Sequence, residues 1–220
     1  MPMIVPVVNS KNLNDLKKKL LQLKNYDGII QLDLSDGEFT HWKNYTNLSK
    51  IKDLKITLPF EIHFMFEKPE KYIEDLIFLE PKRIILHVEA INNFQKCYKL
   101  CRQNKIELAL AICPETPISK LFPYLKYLNM VLILAVIPGP SGQTMQHYVL
   151  ENIPIIKRKN RRIKIEMDGG INERNMDTIV TFGVDYLAMG SSIFDFKKPM
   201  ERIKFLQKEL ETIKKIKRIK

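Results

Sequence analysis

The stretch Glu166-Met167-Asp168-Gly169-Gly170-Ile171 decides how the chain is read. Ile163-Lys164-Ile165 lead into it, and Asn172 with a helical pattern follows. It therefore reads as strand, carboxylate, glycine turn and helix start. A carboxylate at the C-terminal end of a strand stands where parallel α/β folds place their chemistry. Two glycines directly behind it let backbone N–H groups approach an anion such as phosphate. Asp-Gly-Gly is also a common turn with no chemistry attached, so the remaining segments decide between the two.

Outward from that stretch, short β-branched runs alternate with amphipathic segments from end to end. The predicted strands are Ile4–Val8, Gly28–Leu34, Leu58–Met65, Arg83–Val88, Glu107–Ile112, Met130–Val136, Ile163–Asp168 and Asp185–Met189. Helical patterns lie near 12–24, 44–55, 69–79, 91–104, 117–127, 143–158 and 172–182, with 199–220 as a basic closing helix. Asn12 caps one run, Pro69 and Pro117 open two others, and Gly183 stops another. Eight strands each followed by a helix are the arithmetic of an α/β protein folded as one (β/α)8 TIM barrel over residues 1–220. A doubly wound open sheet is the alternative, but it usually has fewer strands and a glycine-rich turn after the first, where this chain has Asn9-Ser10.

Composition narrows the function class. The formal net charge is +11, yet the lysines are scattered over helix surfaces and concentrate only in Lys214–Lys220. That distribution predicts a solvated basic face attractive to anionic metabolites rather than a nucleic-acid groove. No apolar run is long enough to span a bilayer, and Met1–Pro6 has no signal-peptide character, so a cytoplasmic protein without a membrane partner is expected. Cys97, Cys101 and Cys113 match no zinc spacing and read as reduced core residues.

In a barrel the strand ends carry the chemistry. Gln31 and Asp33 are two apart on one strand and share a face, as do His63 and Met65 on the next. If that face is the barrel interior, Gln31, Asp33, His63 and Asp168 converge near the top and could hold a divalent metal. Burying two carboxylates and a histidine without a cation or a shared proton is costly. The loops after strands six to eight carry Gly139, Ser141 and Gly142, then Gly169 and Gly170, then Gly190 and Ser191, the usual place for a phosphate cradle. His41, Trp42 and His147 read as peripheral, with Trp42 either covering the pocket or packing.

These residues, in this order, resemble the ribulose-phosphate 3-epimerase family. The matching pieces are Asp33–Gly37, Ile62–Met65, His87–Ala90, Pro114–Pro117, Pro138–Gln143, Asp168–Asn172 and Gly190–Phe194. The resemblance implies an isomerase of the pentose phosphate pathway acting on a phosphorylated ketose. Asp33 and Asp168 would remove a proton from C3 on one face and return one on the other. A divalent metal, held by those aspartates and two histidines in the family, would steady the enediolate. Ser10 would contact the substrate, Met65 would line the pocket, and the glycine loops would take the phosphate. A homo-oligomer is expected on the same ground.

Several positions depart from the family. Gln31 stands where the family has a histidine ligand, Ser35 and Leu134 where it has methionines, and 137–142 where it has an Asn-Pro-Gly-Phe-Gly-Gly loop. A neutral amide oxygen is a poorer zinc ligand than imidazole, which shifts the expected ion from zinc toward manganese or iron. The leading expectation is an epimerase converting ribulose 5-phosphate to xylulose 5-phosphate. The alternatives are a phosphosugar-binding barrel with altered or lost turnover, or an epimerase of a six-carbon ketose phosphate.

Overall fold

Eight strands close on themselves with parallel pairing throughout, in the computed structural model, which describes residues 2–219. Of the basic cluster Lys214–Lys220, only the Lys215 side chain falls within what is described. The strands are β1 Met3–Asn9, β2 Ile30–Ser35, β3 Phe60–Met65, β4 Arg83–His87, β5 Glu107–Ile112, β6 Met130–Leu134, β7 Lys164–Asp168 and β8 Tyr186–Met189. β1 pairs with both β2 and β8, closing the barrel. The helices are α1 Leu13–Gln22, α2 Leu48–Asp53, α3 Ile73–Phe78, α4 Phe94–Gln103, α5 Asn152–Lys159, α6 Met176–Thr181, α7 Ser191–Phe194 and α8 Pro199–Ile219. The predicted barrel is thus the observed one.

Local chemistry explains the helix ends. Asn12 accepts the Asp15 N–H at 3.0 Å, Asn47 that of Lys50 and Asn93 that of Lys96, so three helices begin on a side-chain cap. Gly183 closes α6 with φ +87°, and its N–H reaches Val180 O. The helices are shorter than their periodicity suggests, and two predicted ones give way to other structure over much of their length. Between β5 and β6 only a 3-10 turn forms, Ile118–Leu121, because Pro123 bars the helix from continuing. The pattern over 143–158 becomes an extended segment, a 3-10 turn His147–Glu151 and then α5, since Gln146 donates its N–H back to Ala135 O at 2.7 Å.

The main core fills the layer between sheet and helices. Cys97 and Cys101 are buried there on α4, as expected of reduced core thiols. Inside the barrel the contents divide. Ile85, Ala109, Ala111, Met130, Leu132 and Leu134 form an apolar wall on β4–β6. The rest of the barrel carries polar side chains at two levels. Low in the barrel, Arg83 donates to Glu61 at 2.5 Å and to Glu107 at 2.8 Å, with Glu166 at 3.7 Å. High in the barrel stand Gln31, Asp33, His63 and Asp168.

Candidate active site

The parallel register sets Asp33 beside His63, while Asp168 is delivered at the end of β7 between Leu134 and Ala188. The four predicted residues come together. Gln31 Nε2 donates to Asp33 Oδ1 and to Asp168 Oδ2, both at 2.8 Å. His63 Nδ1 faces the same two oxygens at 3.4 and 3.5 Å. Its other nitrogen, Nε2, lies 2.9 Å from His87 Nε2. His87 Nδ1 continues to Glu89 at 3.3 Å, and Glu89 also accepts the Cys113 N–H at 2.8 Å.

Burial shapes the charges. Asp33 is pushed up by desolvation; the His63 ring beside it works against this and the Asp168 charge adds to it. Burial alone would lower His63, but the Asp168 and Asp33 carboxylates facing its Nδ1 outweigh it and raise the imidazole to about 9. Burial lowers His87. Glu89 falls to about 2 because its hydrogen bonds, first from His87, outweigh desolvation.

Two buried polar atoms lack a hydrogen-bond partner here, His63 Nδ1 and Gln31 Oε1. Asp33, His63 and Asp168 each offer a ligand atom, all within 4.8 Å of one another. Nitrogen-to-oxygen separations near 3.4 Å are what a cation bonded at about 2.1 Å would set in tetrahedral geometry. The donor set therefore fits a divalent cation, with the Gln31 amide as its adjustable member.

The cavity above this group is lined by Asp33, His63, Met65, Leu134 and Asp168, and by the loops after β6, β7 and β8. Gly139, Ser141, Gly142, Gly169, Gly170, Gly190 and Ser191 all line it. The loops are laced together. Asn175 and Asn172 donate to Gly170 O at 2.9 and 3.1 Å, Ser192 donates to Ile171 O, and Arg202 Nε donates to Ser192 O at 2.9 Å. Gln143 closes the β6 loop on Ile137 O and Pro140 O.

Other residues fall elsewhere. Ser10 is buried with its hydroxyl unpaired and lies outside the cavity lining, which takes Asn9 and Lys19 instead. Lys19 Nζ donates to Asn9 O at 2.5 Å and to Asp15 at 3.0 Å. Sequence reasoning missed it, because one lysine among Lys17-Lys18-Lys19 carries no distinguishing signal. Ser35 is tied to Thr40 and to Trp42 O, and Trp42 packs without lining the cavity. His41 and His147 are exposed, as expected of peripheral residues. Cys113 is not a core thiol: it is half-buried beside His87, at 3.5 Å.

The sequence profile described as the ribulose-phosphate 3 epimerase family matches residues 3–194. The chain belongs to this family. Among named relatives, the ribulose-phosphate 3-epimerase of Aquifex aeolicus is 32% identical over 175 residues, 77% of this chain and 78% of its own length. That of Candida glabrata is 31% identical over 160 residues, 73% of this chain and 65% of its own length. Membership places the chain among phosphopentose epimerases, in the isomerase class. The solved structure of KGPDC from Streptococcus mutans superposes with a TM-score of 0.75 over 97% of this chain and 99% of that one, at 10% identity. 3-Hexulose-6-phosphate synthase from Salmonella typhimurium gives 0.73 at 11% identity, covering 96% and 99%. At such identities the shared property is the barrel. Among the described residues no helix is long and apolar enough to cross a membrane.

Proposed function

We propose that the chain inverts C3 of a ketopentose phosphate, ribulose 5-phosphate to xylulose 5-phosphate, with Asp33 and Asp168 as the acid–base pair. The observation that carries this reading is the meeting of the two carboxylates, one on β2 and one on β7, on a shared set of donors at the cavity floor. Inversion needs one carboxylate to take the C3 proton and a second, already protonated, to deliver one to the opposite face. Desolvation holds Asp33 toward its protonated form, which makes Asp33 the donor and Asp168 the acceptor in one direction, with the roles exchanged in the other. Met65 and Leu134 exclude water from the reacting carbon. The loops at Gly139–Gly142, Gly169–Gly170 and Gly190–Ser191 bind the phosphate through backbone N–H groups, with Lys19 adding charge.

A divalent ion, manganese or iron in preference to zinc, would be held by Asp33, His63 and Asp168 with the Gln31 carbonyl turned toward it. When bound, it supplies positive charge against the oxygens of the deprotonated sugar. The test is exchange of the C3 proton of ribulose 5-phosphate with deuterated solvent, followed by NMR. Exchange is expected with a divalent metal present, and Asp168→Asn should abolish it; no exchange with any divalent ion added defeats the reading. One observation favours a second reading, a phosphosugar-binding barrel without turnover: the Gln31 amide bridges both carboxylates unaided. That protein would bind ribulose 5-phosphate calorimetrically without metal and exchange nothing.

A further inference from the structure

His87, Glu89 and Cys113, at the ends of β4 and β5, form a cluster that the acid–base pair does not use. His87 Nδ1 lies 3.3 Å from Glu89 Oε2 and 3.5 Å from Cys113 Sγ. One ring N–H cannot serve both acceptors well, and 3.3 Å lies beyond the ordinary N–H···O range of about 2.7–3.2 Å. A tetrahedral cation would set these spacings. Bonds of about 2.1 Å to nitrogen and oxygen and about 2.3 Å to sulfur put N and O roughly 3.4 Å apart and N and S roughly 3.6 Å apart. All three ligand atoms lie within 4.8 Å of one another.

We propose that His87, Glu89 and Cys113 are a second cation site, selective for thiophilic divalent ions such as zinc, cadmium or cobalt. Thiolate, imidazole and carboxylate are the donors such ions take together. Without an ion, burial first and then the Glu89 charge hold the Cys113 thiol protonated, so the sulfur is not a nucleophile. The ion replaces that proton, which leaves to solvent, and no oxidation occurs.

The two clusters are coupled through His63 Nε2 and His87 Nε2, 2.9 Å apart. A neutral imidazole carries one ring proton, and an ion on Nδ1 confines it to Nε2. Ions on both histidines would turn two N–H groups against each other. An ion on His87 therefore drives the Nε2 proton of His63 off to solvent, leaves its remaining proton on Nδ1, between Asp33 and Asp168, and closes the upper site to metal. This coupling rests on the metal-assisted reading of the proposed function; the second site itself does not.

Cobalt(II) titration of the metal-free full-length protein tests the site through thiolate-to-cobalt charge-transfer absorption. The wild type should develop the band and saturate at one equivalent. Cys113→Ser should lack it although Cys97 and Cys101 remain, and Asp168→Asn, with the upper site impaired, should keep it. No band in the wild type, or a band surviving in Cys113→Ser, overturns the site. With one equivalent of cadmium on protein labelled with 15N-histidine, which has only four histidines, His63 should show Nδ1 protonated and Nε2 bare. The opposite tautomer overturns the coupling. Absence of C3 exchange with manganese alone, in a protein whose cobalt form shows the band, counts against the epimerase reading alone.

Discussion

Gln31 bridges two largely buried carboxylates where a cation could otherwise stand. Its amide nitrogen holds Asp33 and Asp168 at 2.8 Å each while its carbonyl oxygen has no partner. A metal there has to displace these hydrogen bonds and turn the amide round, which weakens its binding. Gln31→His restores an imidazole donor, and divalent-ion affinity measured by equilibrium dialysis should rise at least about tenfold, about 1.4 kcal/mol. Unchanged affinity would mean that Gln31 does not set metal binding. His63 makes the same contest visible in pH. Its folded pKa of about 9 exceeds its ordinary 6.5, so its contribution is fully present below 6.5 and is lost as pH rises through 9. In chelator, urea unfolding should show stability falling over that window by at most about 3 kcal/mol, and His63→Gln should flatten the fall. Manganese affinity should strengthen over the same interval as the proton leaves. Asp33, His63 and Asp168 were legible because two-residue spacing and strand-end position fix where such side chains point. The amide orientation of Gln31, the chain of bonds through His87 to Glu89, and Lys19 were not, since each depends on which neighbours the closed barrel supplies.

At the scale of elements, the loops behind β6 and β7 work as one unit. Gly170 has φ +67°, and a Cβ there would collide with Met145 N and stand 2.8 Å from Gln143 O, both backbone atoms that cannot rotate away. Gly142 also has a positive φ, +90°, but nothing lies within 4 Å of its Cβ position. Gly170→Ala should therefore cost roughly 1–3 kcal/mol and push the two loops apart, whereas Gly142→Ala should cost about 1–2 kcal/mol of local strain alone. Calorimetry with ribulose 5-phosphate separates them: affinity should drop at least about tenfold in Gly170→Ala and by less in Gly142→Ala. Equal losses would mean that the close approach of the loops is not what shapes the anion site. The same segment shows where helix reading falls short. Met145, Val149, Ile153 and Ile156 are all buried and mimic one helical face, yet Met145 belongs to the extended stretch packed against Gly170 and only the latter part is helix. All eight strands were legible, to within about two residues at their ends, because a buried parallel strand leaves a near-continuous apolar run.

Across the whole molecule, the polar column inside the barrel is sustained at its lower end by one guanidinium. Arg83 faces Glu61, Glu107 and Glu166, and Glu61 and Glu166 are fully buried with oxygens that lack hydrogen-bond partners. Desolvation raises both carboxyls, Glu166 far more, since it also faces the Glu61 charge. Burial and the Glu61 charge thus hold Glu166 the further toward its neutral form, while pairing with Arg83 opposes the rise of Glu61. Arg83→Met removes the compensating charge and should destabilise by about 3–5 kcal/mol, a fall in Tm on the order of 10 °C for a domain of this size. The deficit has a defined pH dependence. A carboxyl whose folded pKa is raised lends its stability below its unfolded value, near 4.5, and loses it as pH rises. Without Arg83 both carboxyls move further up, so the variant should approach wild-type stability near pH ~4 and fall steadily behind toward pH ~8. Urea unfolding at the two pH values checks this, and adding Glu61→Gln to Arg83→Met should recover most of the loss at the higher one. A deficit equal at both pH values would trace the damage to the lost contact of the guanidinium with the Tyr186 ring, whose centroid lies 5.4 Å from Arg83 Cζ, rather than to the carboxyls the barrel encloses.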